Sequence, residues 1–307
     1  MLAGSGAGSS TLNTELLFLG LLGLAGVALA WWLLVTTEGV YLGQRVVTAL
    51  YDLYASRYDR IKGFDPETEA AYLGERALRA LRDVAAPLVL DVATGTGRLP
   101  LALLEMPTFN GHVWGVDLSR RMLRVAAAKL DPYDGRARLL WGPAERLPFV
   151  DGVFDMVTCL EALEFLQDQR AALAEIARVL RPGGVLLTSR RRGRDARLMP
   201  GRALDARRLA RVLEEAGFAD LDLVAWQVDY DLVWARKPQG AAARAGGLRP
   251  LVEVMRCPAC ASAAMAACED ALRCAACGAR WPIAADGVIE LGARARAALS
   301  LSPPDAE

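Results

Sequence analysis

The chain has 307 residues, with 36 basic and 36 acidic side chains and six cysteines. At about 150 residues per domain this length suits about two domains with an ample core. A charged fraction of 23% excludes a disordered or collagen-like chain, and zero net charge excludes binding to nucleic acid by bulk electrostatics alone. His112 is the only histidine, which all but excludes histidine-based triads and histidine-rich metal sites. Lys62, Lys129 and Lys237 are the only lysines, so every other basic side chain is arginine, a compositional bias before it is chemistry.

Residues 1–15 are rich in Gly, Ser and Ala, carry no positive charge, and predict disorder. Residues 16–37 form an apolar run of 22 residues without a charge, bounded by Glu15 and Glu38. As a helix the run extends about 33 Å, enough to cross about 30 Å of bilayer hydrocarbon. Trp31 and Trp32 stand toward its C-terminal end, where interfacial aromatics are common. A cleaved signal peptide ending near Ala28-Leu29-Ala30 is a second reading, but no Lys or Arg precedes the run and it continues past Ala30. A buried core helix is a third, but such helices rarely go this far without a polar position. A single uncleaved membrane anchor is expected. Arg45, Arg57, Arg60 and Lys62 follow it, so the positive-inside bias puts the C-terminal bulk in the cytoplasm, beneath the cell membrane.

Residues 38–83 read as helical, with Pro66 opening a second helix. From Leu88 short apolar strands alternate with helical segments: LVLDVA, HVWGVD, ARLLWG, FDMVTCLE and GVLLTSR are the strands. That alternation predicts an α/β fold with a parallel, doubly wound sheet. LDLVAWQV and YDLVWARK predict a closing antiparallel hairpin, and residues 238–250 a flexible linker. Residues 251–292 hold five of the six cysteines, and residues 293–307 predict a disordered tail.

In VLDVATGTGRLPLALL a strand ends at Asp91, a small-residue loop follows, and a helix opens near Arg98. Gly95 and Gly97 let the backbone turn tightly and approach a ligand at the helix N-terminus. The next strand ends in Asp117, where a carboxylate can accept hydrogen bonds from both ribose hydroxyls. By itself the loop fits equally a tight turn in any α/β protein. The segments GPAERLPF from Gly142, DGVFDMV from Asp151 and RVLRPGG from Arg178 follow in order. Together with DLSRRML from Asp117, the ensemble over about residues 51–237 resembles class I S-adenosylmethionine-dependent methyltransferases. The similarity is greatest to the group that includes the quinone-biosynthesis C-methyltransferases. Tyr51-Asp52 and Tyr58-Asp59 resemble the paired Tyr-Asp segments that often precede the first strand in that group.

The resemblance implies a Rossmann-like seven-stranded methyltransferase sheet with flanking helices over residues 38–237, binding S-adenosylmethionine. It implies that Asp91, Ala93, Thr94, Gly95 and Gly97 support the methionine part of the cofactor, and that Asp117 holds the ribose. Leu118 and Met122 would lie against the adenine, Ala144 and Glu145 beside it, and Leu160 and Glu161 by the transferred methyl. Ala93 stands where glycine is usual, Pro143 where an acid is common, and no histidine lies near Leu163. Candidate bases are therefore Glu161, Glu164 and Tyr58, each of which also reads as a surface or packing residue.

Cys257-x-x-Cys260 and Cys274-x-x-Cys277, thirteen residues apart, form a metal-binding pattern: four thiolates suit a closed, structural Zn²⁺ site. Disulfides are the alternative, disfavoured in a cytoplasmic setting. Cys159 reads as a buried core thiol. Residues 251–292 resemble the small zinc-ribbon proteins that act as partner subunits of tRNA, rRNA and protein methyltransferases. Arg190, Arg191, Arg192 and Arg194 follow the fifth strand, either rimming the acceptor pocket, facing an anionic membrane, or forming a solvated loop.

The expected function is a membrane-anchored methyltransferase acting on a lipophilic small molecule, a quinone precursor or a lipid, since tethering raises effective concentration on a membrane-resident acceptor. Two alternatives remain: an RNA or protein methyltransferase that recognises its substrate through the zinc ribbon, and a non-catalytic cofactor-binding scaffold.

Overall fold

The computed structural model describes residues 7–133, 135–240, 246, 247 and 249–291. Helix α1, Ala7–Trp31, continues as one π-helical stretch, Trp32–Thr36. Within it Glu15–Thr36 has a mean hydropathy of 2.2 and is not buried at all, so it is long and apolar enough to cross a membrane. Disorder was expected through residue 15, yet the helix starts at Ala7. No proline interrupts residues 7–15, and extending a helix costs far less than nucleating one. The expected tail, residues 293–307, and residues 241–245 and 248 of the expected linker lie outside the described residues.

Helix α2, Gln44–Tyr54, and the short helices α3, Tyr58–Lys62, α4, Pro66–Glu69, and α5, Glu75–Ala80, precede the sheet. Then come β1, Leu88–Val92; α6, Arg98–Leu104; β2, His112–Asp117; α7, Arg120–Leu130; β3, Ala137–Trp141; and β4, Phe154–Cys159. Helix α8, Gln169–Val179, leads into β5, Leu180–Arg191, and α9, Gly193–Arg197, and α10, Ala206–Glu215, precede the hairpin β6, Ala219–Ala225, and β7, Tyr230–Arg236. The C-terminal segment contains α11, Leu251–Val254, and strands β8, Met265–Ala267, β9, Ala271–Cys274, β10, Arg280–Pro282, and β11, Ile289–Glu290.

The main sheet runs β11-β3-β2-β1-β4-β5-β7-β6, with β7 antiparallel to both of its neighbours. Every residue of β1 and β4 is buried, as expected for parallel strands covered on both faces. Alternation along β1 divides the core: Leu88, Leu90 and Val92 join the face packed by α8 and α10, while Val89 joins the face packed by α6 and α7.

Two departures from the sequence reading matter for the site. The sheet has eight strands rather than seven, because β11 of the C-terminal segment pairs in parallel with β3, Ile289 against Leu140. Residues 251–292, expected as a module apart, also share the main core: Met255, Leu272, Trp281 and Leu291 belong to the same cluster as Phe149 and Leu173. Val150 N–H donates to Val254 O at 3.0 Å, and Arg120 pairs with both Asp286 and Glu290 at 2.8 and 2.9 Å. Too small to bury its own apolar side chains, the segment completes its core against the sheet. The linker is also fastened. Gly246 N–H donates to Asp155 Oδ1 at 3.0 Å and Gly247 N–H to Ala86 O at 2.9 Å.

Leu272 is fully buried in this shared core. Leu272→Ala should cost about 2–5 kcal/mol and lower the midpoint of one cooperative thermal transition. Calorimetry that resolves two transitions, with only the smaller one displaced, would instead make the C-terminal segment an independent unit.

Candidate active site

A cleft opens at the C-terminal ends of β1, β2 and β4, where ligands bind in parallel α/β sheets. Its floor is Ala93 and Gly95 after β1, Asp117, Leu118 and Ser119 after β2, and Gly142 and Ala144 after β3. Leu160, Glu161 and Ala162, after β4, close one side. The roof is the N-terminal helical segment, with Gln44, Val47, Thr48 and Tyr51 from α2 and Tyr58 from α3.

The glycine loop turns through left-handed backbone at Ala93, φ 56°, Gly95, φ 55°, and Gly97, φ 78°. Ala93 pays the steric cost that a glycine there would avoid, about 1–2 kcal/mol. Gly115 on β2 permits the close approach of this loop, since a Cβ there would lie 2.9 Å from the Thr94 methyl. Gly95 N–H donates to Asp117 Oδ2 at 2.8 Å and Ser119 N–H to Oδ1 at 2.7 Å, so one carboxylate joins the loops after β1 and β2. Asp91 lies beneath, accepting from Thr158 Oγ1 at 2.6 Å. Burial raises both Asp91 and Asp117 to about 6.

The two Tyr-Asp pairs fasten the roof. Ser119 Oγ donates to Asp52 Oδ1 at 2.5 Å, while Asp59 accepts from Thr96 Oγ1 and from Lys129 Nζ, the latter at 2.8 Å. Each aspartate therefore ties the helical segment to one loop of the cleft floor, and the tyrosine before it lines the cleft. Tyr51, Tyr54, Tyr58 and Phe165 form a continuous aromatic cluster with neighbouring centroids 5.5–6.3 Å apart.

Ala93, Gly95, Asp117, Leu118, Ala144, Leu160, Tyr58 and Glu161, all expected from the sequence, line the cleft together. Asp91, Thr94 and Gly97 support it from beneath. Met122 is buried, with its N–H donating to Ser119 Oγ at the start of α7, and it does not border the cleft. Glu145 is turned away and accepts the Gln167 N–H at 2.9 Å.

Glu164 is a correction. Its short 3₁₀ turn, Leu163–Phe165, points the carboxylate inward, where it is buried, accepts from Tyr230 OH at 2.7 Å and faces Arg191 at 3.8 Å, so it does not line the cleft. Burial raises its pKa. Burial and the negative Glu161 and Glu38 raise Tyr58 well above the ordinary phenol value, so it is a neutral phenol. Glu161 stands in left-handed backbone at φ 51°, held by its N–H donating to Ser189 Oγ at 2.6 Å. Burial alone would raise its pKa, but Lys62 at 3.3 Å and Arg98 at 2.6 Å outweigh it and hold the carboxyl below its usual value. Glu161 is a fixed anion with weak affinity for a proton.

Arg98 was not singled out by the sequence, although it opens the helix after the glycine loop. It also pairs with Glu69 at 2.6 Å, between the rings of Phe64 and Trp226 at 4.0 and 4.8 Å. No local pattern signals this network, whose members lie 29 and 63 residues apart. The arginine run is another correction. Arg190 and Arg192 both pair with Asp231, and Arg191 lies 3.6 Å from Glu38, so internal acids hold these three. Alternation along the strand and at its end delivers Arg190 and Arg192 to Asp231 on β7 and Arg191 to Glu38 of the N-terminal segment, rather than to the cleft rim.

In the C-terminal segment the Sγ atoms of Cys257, Cys260, Cys274 and Cys277 all lie within 4.8 Å of one another, and all six cysteines are free thiols. Cys257–Cys277 and Cys260–Cys274 are 3.7 and 3.6 Å apart. A tetrahedral site with metal–sulfur bonds of about 2.3 Å has sulfur–sulfur edges of about 3.8 Å, so the cluster fits a metal and not a pair of disulfides.

Residues 89–184 match the family model described as methyltransferase domain. That span contains β1 through β4 and the cleft floor. Over that span the chain is similar to methyltransferase domains. Among curated relatives, the ubiquinone/menaquinone biosynthesis C-methyltransferase UbiE of Paraburkholderia phymatum is 41% identical over 99 residues, 32% of this chain and 41% of its own. The demethylmenaquinone methyltransferase of Bacillus licheniformis is 40% identical over 95 residues, 31% of this chain and 40% of its own. The chain thus spans about two fifths of the length of these relatives. Among solved structures, the [4+2]-cyclase SpnF superposes with a TM-score of 0.54 and 19% identity over 64% of this chain and 98% of its own, a likeness of fold alone.

The raised carboxyls give the methyltransferase domain a defined pH response. Asp91 and Asp117 titrate near 6 when folded and near 3.9 when unfolded. Between those values the folded state holds more protons, so these groups make the free protein lose stability as pH rises from about 4 to about 6. If the Asp117 carboxylate accepts hydrogen bonds from a ribose, affinity for S-adenosylmethionine should rise through the upper part of the same window. Thermal melts and titration calorimetry across pH 4.5–7.5 measure both trends, and Asp117→Asn should flatten the affinity profile.

Proposed function

We propose that the protein is a membrane-anchored methyltransferase that moves a methyl group from S-adenosylmethionine to a lipophilic acceptor, a quinone precursor or a related lipid, at the cytoplasmic face of the cell membrane. One observation carries the reading: the apolar, aromatic cleft roof is continuous with the end of a helix long enough to span a bilayer. The similarity to a ubiquinone/menaquinone biosynthesis C-methyltransferase and to a demethylmenaquinone methyltransferase supports it.

The cofactor supplies a methyl on a sulfonium, already activated for in-line displacement. Asp117 would hold the ribose, Ala93 and Gly95 would let the methionine portion lie close to the backbone, and Leu118 with Ala144 would flank the adenine. Glu161, fixed by Arg98 and Lys62, would border the transferred methyl as a stationary negative charge. Val47, Tyr51, Tyr58 and Phe165 would exclude water and hold the acceptor in near-attack geometry, which can supply much of the rate without a base. Cys257, Cys260, Cys274 and Cys277 would hold a structural Zn²⁺ whose binding contributes folding energy to the segment.

Full-length protein, incubated with methyl-labelled S-adenosylmethionine and fractionated host lysate, should place label in the lipid extract. Residues 1–40 must be kept, because Thr37 and Val40 are buried against the catalytic domain. Asp117→Ala should lower cofactor affinity at least tenfold, since hydrogen bonds to a charged group are worth about 1.5–3 kcal/mol. Label in RNA or protein would transfer the assignment to those substrates. Cofactor binding without label anywhere would favour a scaffold.

Elemental analysis should find one zinc per chain, lost in a Cys257→Ser/Cys274→Ser variant. Leu291 stands beside Gly142 of the cleft, where a Cβ would meet its Cδ1 at 2.9 Å, and its N–H donates to Trp141 O. Removing the metal with a strong chelator should therefore lower the melting temperature and also weaken cofactor binding. A melting temperature indifferent to chelation would argue against the metal.

A further inference from the structure

The connection between the apolar helix and the catalytic domain is a packed joint. Trp32 Nε1 donates to Leu198 O at 3.0 Å, Tyr41 OH donates to Pro200 O at 2.7 Å, and the two rings stack at 5.0 Å. Thr37 is fully buried, and Glu38, in left-handed backbone at φ 50°, accepts from Tyr51 OH at 2.7 Å. Gly39, at φ 77°, leaves no room for a Cβ, which would lie 2.8 Å from Val46 on the first turn of α2. Val40, Val47 and Met199 then form a small core of their own. A joint of this kind fixes the direction in which the domain faces when the helix stands in a bilayer.

The surface around that joint is cationic and partly apolar. Tyr41 and Leu42 are exposed just past the helix. Arg45 is exposed on the first turn of α2, while Gln44, Val47 and Thr48 of the same helix turn toward the cleft. Arg194 and Arg197 are exposed on α9, immediately before the residues that receive Trp32 and Tyr41. Unlike Arg190, Arg191 and Arg192, these three arginines make no ion pair among the described residues. Lys and Arg beside an anionic leaflet each gain about fivefold in partition, provided they lie within a Debye length of it. Continuity with the spanning helix supplies that proximity.

Resting on the membrane-anchored reading above, we propose that Arg45, Arg194 and Arg197, with Tyr41 and Leu42, form a docking face for anionic phospholipid. This face seats the domain flat on the leaflet, with the α2 roof of the cleft beside the lipid, so that the acceptor passes from bilayer to cleft without crossing bulk water. The spanning helix determines that the protein is at the membrane, and the arginine collar determines how the domain lies on it.

The test is hydrogen–deuterium exchange of the full chain in nanodiscs of phosphatidylcholine alone and of phosphatidylcholine with 30% phosphatidylglycerol. Amides of residues 41–48 and 194–199 should exchange at least threefold more slowly with the anionic lipid, and high salt should remove the difference. R45E/R194E/R197E should abolish the response while the chain stays membrane-embedded, as judged by resistance to alkaline carbonate extraction. Resistance to extraction with identical exchange in both lipids overturns the docking face and leaves the anchor standing. Release by carbonate overturns the anchor and the docking face together. Equal protection by added RNA in neutral nanodiscs overturns it in favour of a nucleic-acid surface.

Discussion

The Asp117 carboxylate is the constraint on which the cleft depends. Its two oxygens accept from Gly95 and Ser119, so the loops after β1 and β2 are held at one spacing before any ligand arrives. Ser119 then passes the constraint outward by donating to Asp52, and the roof helix α2 is thereby registered to the floor. A buried carboxylate accepting two backbone N–H groups is costly to desolvate, which is why its pKa rises rather than falls. Ligand hydroxyls that donate to the same oxygens would relieve part of that cost.

Both ends of the chain converge on this one cleft from opposite sides of the sheet. The N-terminal segment covers it through α2 and α3, and its joint with the apolar helix is packed by Thr37, Val40 and Met199. The C-terminal segment reaches the other edge, where β11 extends the sheet beyond β3 and Leu291 abuts Gly142. Arg120, one residue beyond Ser119, reaches from α7 to Asp286 and Glu290 and closes the circuit. Neither end is an appendage. Loss of order in either should reach the cofactor loops through at most two or three contacts.

The sheet was legible because parallel strands buried on both faces leave runs of apolar residues bounded by glycine and polar turns. His112–Asp117 matches the sequence reading at both ends for that reason. The glycine loop and Asp117 were legible because their spacing is itself the chemistry. Residues 38–83 read as two helices but break at Gly39, Gly43 and Gly63, all with positive φ, and include a π-helical turn at Ala70–Gly74. Strand β11 has two residues and no periodicity to read. Glu164 and Glu161, three residues apart on one motif, diverge in role because a 3₁₀ turn sends one carboxylate into the core and a left-handed backbone turns the other to the cleft. No propensity argument separates them. Pairing partners of Arg98 and Arg191 come from elements that only the fold brings together.

The electrostatics of the cleft narrow the chemistry it can perform. A general base needs a proton affinity near the working pH, and neither Glu161 nor Tyr58, the two expected bases that line the cleft, has one. Glu161 is pulled down by two cations, Tyr58 is pushed up by burial, and the position near Leu163 holds no histidine. Sulfonium displacement tolerates this when the acceptor atom is already nucleophilic, as an enolate or phenolate carbon is, because the remaining barrier is one of distance and alignment. An aromatic roof over a fixed anion suits that demand: flat rings would orient a flat acceptor, and the charge proposed to lie beside the sulfonium would stay where the backbone at Glu161 holds it. Under the proposed membrane anchoring, delivery from a bilayer would have a chemical use as well as a kinetic one. A cleft that relies on alignment rather than proton transfer works best when its acceptor arrives in few orientations, and a packed joint to the apolar helix would restrict them before the acceptor enters if that helix spans a bilayer.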